Sequence, residues 1–148
     1  EQVAVARWGQ DGLLNPAGEY FAPERETFPD ELPELYGPRG TEVLVLNRFD
    51  EIQKSLQDTG MKIKNVTLNE RRAWQFELDN GIRVVLGKTD FDLRLKRFRD
   101  LVPLGLSGKF SQTELVDMRY TNGFAVRWKQ DGSETNVETG LDYNGKKT

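Results

Sequence analysis

The side chains that carry most enzyme chemistry are missing from this chain. It has no histidine and no cysteine. That removes an imidazole base for a serine or cysteine nucleophile, thiolate and imidazole metal ligands, disulfides and a switch titrating near neutrality. What remains for acid–base work is 24 Asp and Glu, and two carboxylates are enough for a glycosidase. They lie mainly in the acidic stretch 22–34 or at strand positions alternating with apolar residues. Those are places for solvated groups, whereas a catalytic carboxylate belongs in a cleft. Two further motifs fail on spacing. Gly105-Leu106-Ser107-Gly108-Lys109 has its second glycine one place too early for a G-x-S-x-G elbow, and Pro103 stands where a phosphate loop needs glycine. It reads as a turn. Asp79-Asn80-Gly81 lacks the other oxygen ligands of a calcium loop. Asn65-Val66-Thr67 is a glycosylation sequon only in a eukaryotic secretory route. These residues point to no catalytic group, no metal and no cofactor; a carboxylate-dependent hydrolase is the alternative.

Residues suited to binding are better represented. Arg and Tyr are enriched in interface hot spots. Arg71-Arg72 precedes an apolar strand at Trp74, and Arg119-Tyr120 precedes Asn122-Gly123. Trp8, Trp74 and Trp128 offer aromatic surface, with Trp74 better placed for packing because it alternates with Phe76 and Leu78. Arg94, Lys96, Arg97 and Arg99 make a basic helix face, diluted by Asp90, Asp92 and Asp100. That face reads as solvated. The net charge of -3, from 21 basic and 24 acidic residues, argues against a nucleic-acid partner. No apolar run reaches the roughly 18 residues of a membrane helix. The chain starts without Met inside a strand-like run, Val3 to Trp8, and reads as a fragment whose targeting or anchoring segment lies elsewhere.

These residues need elements to position them. Leu13-Leu14-Asn15-Pro16-Ala17-Gly18-Glu19-Tyr20-Phe21 reads as a hairpin, and Leu35-Tyr36 as a short strand. Thr41 opens a helix as N-cap, with Val45, Phe49, Ile52 and Leu56 as its apolar stripe and Gly60 as its stop. Residues 61–69 return to strand character. Trp74, Phe76 and Leu78 alternate with polar residues, turn at Asn80-Gly81, and are answered by Ile82, Val84 and Leu86. A second helix follows, with Thr89 and Asp92 at capping-box spacing, the stripe Phe91, Leu95, Phe98 and Val102, and Pro103 as its end. The last hairpin runs from Val116 to Trp128 around Asn122-Gly123, an expected type I′ turn. The order ββ-α-βββ-α-ββ implies an α+β fold. Its mostly antiparallel sheet is built from hairpins and covered on one face by two helices. Phe124–Trp128 is the expected C-terminal edge strand, able to accept a partner strand. Residues 1–129 form the domain, and 130–148 a polar, flexible tail.

Several stretches, in order and spacing, resemble one family. They are Val5-Ala6-Arg7-Trp8, Asn15 through Gly18 to Phe21, Leu35-Tyr36-Gly37-Pro38 and Arg71-Arg72-Ala73-Trp74-Gln75. Further on come Val85-Leu86-Gly87, Arg94-Leu95-Lys96-Arg97-Phe98 and Val116-Asp117-Met118-Arg119-Tyr120. Over residues 1–129 the chain is similar to the β domain of the FtsQ family of bacterial cell-division proteins, closest to the Gram-negative type. The resemblance implies a non-catalytic divisome scaffold, single-pass in the inner membrane with this domain in the periplasm at the division site. It implies FtsB, FtsL and other divisome proteins as partners, and a role in recruiting and regulating septal peptidoglycan synthesis. By motif, FtsB contacts carry over to Arg71, Arg119, Tyr120, Asn122, Gly123 and Phe124, with Trp128 beside them. Arg71 and Arg119 would pair with acids on the partner, Tyr120 would anchor an apolar or aromatic residue, and an exposed Gly123 would admit a second backbone. Phe124 is bulky where the family also has small residues, and the tail after Lys129 has no counterpart.

Overall fold

The sheet is organised around the segment with the cleanest alternation. Trp74, Phe76 and Leu78 are buried, as are Ile82, Val84 and Leu86, while the residues between them are partly exposed. A computed structural model describes residues 3–24, 29, 31–102, 111–121, 123–129 and 134–138. In chain order its elements are β1 (Ala6–Trp8), β2 (Gly12–Leu14), β3 (Tyr20–Phe21), β4 (Glu34–Tyr36), α1 (Glu42–Leu56), β5 (Ile63–Leu68) and β6 (Trp74–Leu78). Then come β7 (Arg83–Gly87), α2 (Phe91–Leu101), β8 (Thr113–Asp117), β9 (Gly123–Trp128) and β10 (Glu134–Glu138). Among the described residues the strands form one sheet, ordered β10-β9-β8-β7-β6-β5-β4-β1-β2-β3.

The fold is α+β with a mixed sheet. Six strand pairs are antiparallel, and three are parallel: β1 with β4, β4 with β5, and β7 with β8. The last two parallel pairs are each joined through a helix, α1 and α2. A helical crossover carries the chain back to the end of the sheet where the first strand began, so the next strand runs parallel. The run of tight-turn signals in the sequence hides this, because the crossovers carry none.

Both helices share a core with the strands. Val45, Leu46, Ile52 and Leu56 of α1 join Phe91, Leu95, Phe98 and Leu101 of α2, and Val102 beyond it, around Val66, Phe76, Val84 and Leu86. Phe49 packs at the margin of this core. Phe98 meets Phe76 edge-to-face at 5.8 Å and Trp74 meets Phe91 at 5.6 Å, the T-shaped geometry favoured by ring quadrupoles. The Arg48 guanidinium sits 4.2 Å from the Phe91 ring centroid and ties α1 to α2. Helix ends differ from the expected caps. Thr41 is the N-cap of α1, but its hydroxyl donates to the Pro38 carbonyl at 2.5 Å instead of accepting from the helix. Asp90, with φ +55°, replaces Thr89 as the N-cap of α2. A short 3-10 turn, Gln57–Thr59, extends α1 to Gly60, whose φ of +77° ends it.

The expected edge is corrected. β9 is not outermost, because β10 pairs with it antiparallel from Glu134↔Arg127 to Glu138↔Gly123. A polar segment needs no apolar face to join a sheet: an edge offers it a ready backbone ladder. Pro103, the 105–109 motif and the rest of 130–148 lie outside the described residues, as does Asn122. Among the described residues no helix is long and apolar enough to cross a membrane.

Candidate partner-binding surface

The connection from β8 to β9 forms a structured rim at one end of the sheet, not a two-residue turn. Asp117 pairs with Ala125, so seven residues separate the last paired positions. A type I′ turn at Asn122-Gly123 requires a shorter register. Competing interactions hold the chain out of the ladder. The Met118 N–H donates to the Val85 carbonyl at 2.9 Å, continuing the parallel pairing with β7. The Arg119 N–H turns to the Asp117 carboxylate at 3.0 Å. From α2, Arg94 donates to the Leu86 carbonyl at 2.7 Å and to the Arg119 carbonyl at 3.3 Å. Arg97 donates to the Tyr120 carbonyl at 3.4 Å.

The charge of Arg119 is already engaged. Its guanidinium makes two bonds to Asp117, at 2.9 and 2.7 Å. Asp117 is 10 % exposed at its side chain and Arg119 is 57 % exposed. These bonds hold the Arg119 guanidinium above the ordinary arginine value, against a smaller opposite effect of burial. The Arg119 fork is therefore oriented and partly neutralised. Gly87 makes the close packing feasible. With φ +81°, it leaves no room for a Cβ, which would fall 2.8 Å from Arg94 Nη1 and 2.9 Å from Arg119 Cγ.

The anticipated binding residues divide into groups. Arg119 and Tyr120 are brought together on the rim, exposed and half-buried respectively. Gly123 adjoins them but is buried and faces Glu138 in register, so it is not the exposed glycine expected. Phe124 is 5 % exposed and belongs to the core, and it stands opposite Val137 of β10 in the sheet register. Trp128 is half-buried at the other end of β9, opposite Thr113. Five residue steps of strand separate it from Gly123, about 17 Å at the usual rise. Arg71 is exposed on the β5–β6 turn, shaped by Asn69 Oδ1, which accepts the Arg71 and Ala73 N–H groups. That turn leads into Trp74, which pairs with Gly87, so Arg71 and Arg119 lie toward the same end of the sheet. Asn122 lies outside the described residues.

Arg94, Arg97, Gly87 and Asp117 are participants that sequence reasoning missed. The basic helix face is not simply solvated: two of its arginines clamp the rim, and Arg99 donates to the Ser55 carbonyl at 2.8 Å. The available signals were the three-residue spacing of Arg94 and Arg97, and Asp117 two places before Arg119 in a strand, a spacing that puts both on one face. Elsewhere, Glu31, Glu34 and Asp79 line an open cleft of about 500 Å³ together with Lys62 and Lys64. Glu34 there accepts the Tyr36 hydroxyl at 3.0 Å. Burial, then that bond, raises the Tyr36 pKa.

Residues 6–119 match the family model of the cell division protein FtsQ/DivIB, C-terminal. This chain belongs to that family. It is similar to the cell division protein FtsQ of Coxiella burnetii, 36% identical over 129 residues, 87% of this chain and 53% of the relative. The Vibrio cholerae FtsQ is 38% identical over 128 residues, 86% of this chain and 49% of the relative. The Neisseria meningitidis FtsQ is 37% identical over 132 residues, covering 89% and 55%. The chain spans about half the length of these curated relatives. The family match ends at Arg119, so β9 and β10 lie beyond it.

Proposed function

We propose that this chain is the periplasmic, non-catalytic domain of a single-pass inner-membrane division protein. In this reading it is a scaffold that binds FtsB, with FtsL, at the C-terminal end of its sheet, both helices backing one sheet face. By that contact it helps recruit and regulate septal peptidoglycan synthesis with other divisome proteins. Membrane attachment is supplied by a segment outside this sequence.

The observation that carries the reading is the rim. Arg119 and Tyr120 are held by arginines of α2 beside the terminal strands, and a rigid rim loses less entropy on binding than a loose one. A partner segment adding as a strand gains a backbone ladder, and Arg119, Tyr120 and Arg71 supply side-chain specificity. A carboxylate hydrolase in the cleft of Glu34 and Asp79 is the competing function. Titration of the chain with the periplasmic segment of FtsB, beside an assay for muropeptide release, decides between them. Saturable binding without release supports the scaffold. Release that disappears in Asp79→Asn or Glu34→Gln overturns it.

A further inference from the structure

β10 lies on the side of β9 where an added strand would pair. Its register runs Glu134↔Arg127, Thr135↔Val126, Asn136↔Ala125, Val137↔Phe124 and Glu138↔Gly123. The placement has local logic. An acidic position stands opposite a basic one, and β-branched positions stand opposite Val126 and Phe124, combinations that favour antiparallel pairing.

The same strand is built to let go. It is five residues long and has one apolar residue, Val137, so the backbone ladder is its main hold. Only residues 129–133 connect it to β9. Such a short tether gives an intramolecular strand an effective concentration on the order of millimolar. Acidic residues at both ends discourage another strand from stacking outside it.

We propose that β10 is a built-in competitor for the partner site. It holds the outer ladder of β9 in the resting domain, and a partner strand binds by displacing it, not by adding beyond it. This rests on the strand-addition reading above. β10 then also serves as a template for the partner: an extended segment with an acid opposite Arg127 and β-branched or apolar residues opposite Val126 and Phe124. Apparent affinity falls by the fraction of molecules whose edge is open. If β10 is docked about nine-tenths of the time, releasing it tightens partner binding about ten-fold.

The chain has no native cysteine, so one engineered pair reports without interference. Directly opposed antiparallel residues have Cα separations compatible with a disulfide. Arg127→Cys with Glu134→Cys, in the full chain, should oxidise to a bridge. The out-of-register pair Arg127→Cys with Glu138→Cys should not. The oxidised and reduced forms are then titrated with the periplasmic FtsB segment, beside Asn136→Pro and Thr135→Pro in the full chain. Competition requires at least about a ten-fold loss in the bridged form, full recovery on reduction, and tighter binding by several-fold in a proline variant. Failure of the in-register pair to bridge shows that β10 is not docked and overturns the proposal. Equal binding by bridged and reduced forms also overturns it, leaving the scaffold reading intact. Absence of binding by every form, parent included, removes the scaffold reading and the competition with it.

Discussion

The β6–β7 and β8–β9 connections start from the same Asn-Gly signal and end in different structures. Between β6 and β7 the signal acts locally. Leu78 and Ile82 close the hairpin over a three-residue loop, Gly81 takes φ +96°, and the Asn80 side chain accepts the Ile82 N–H at 3.0 Å. Between β8 and β9 the flanking backbone is claimed from outside, by Val85, Asp117, Arg94 and Arg97. Between β6 and β7 the turn motif prevails although the Asp79 N–H donates outside it, to the Lys62 carbonyl at 2.9 Å, because Leu78, Gly81 and Ile82 keep their bonds within the loop. Where a helix supplies donors, the same chain becomes a shaped rim. In the proposed scaffold one region therefore carries stability, and the other would present groups to a partner.

That division can be broken from either side. The largest effect is expected at Phe98, fully buried against Phe76: Phe98→Ala should lower unfolding free energy by about 3–5 kcal/mol in urea denaturation. A loss under about 1 kcal/mol contradicts the core assignment. On the rim the balance reverses. Tyr120→Ala and Arg119→Glu should each weaken FtsB binding by about 1–2 kcal/mol in calorimetric titration, with circular dichroism unchanged. Arg94→Ala sharpens the comparison because Arg94 grips the Arg119 carbonyl without standing on the rim. It should weaken binding about three- to five-fold, roughly the worth of one net hydrogen bond. Arg94→Lys should not rescue it, since an ammonium lacks the fork that reaches two carbonyls. Lys96→Ala, whose ammonium pairs with Asp100 on the exposed helix surface, is the neutral control. The smallest effect is at Arg72, held at φ +67°. Arg72→Gly should stabilise by no more than about 1 kcal/mol, the left-handed strain being partly offset by glycine's entropy. Thermal unfolding measures it.

How much of this was legible follows from the range of each interaction. Alternation at Trp74–Leu78 and the helical stripes through Ile52 and Phe98 are local patterns, and their apolar side chains are buried except Phe49, which packs at the core's margin. The stretches shared with FtsQ gave the family, which the family match and the relatives show. The parallel joins were not legible, because they depend on what a helix does between strands. Nor were the targets of the arginine clamps: the spacing of Arg94 and Arg97 shows in the sequence, but Arg94 and Arg119 are 25 residues apart and meet through a backbone carbonyl, which no side chain marks. β10 was missed for its composition. Five mostly polar residues signal a tail unless the edge beside them is known.

Amide hydrogen exchange across the domain, with and without the FtsB segment, tests the central claim most directly. Strand addition beside the rim requires slower exchange at 117–121 and on the turn carrying Arg71. Faster exchange at 134–138 should accompany it, as β10 gives up its ladder. Saturable binding that leaves 117–121 unchanged and slows exchange around Glu34 and Asp79 instead would contradict the account.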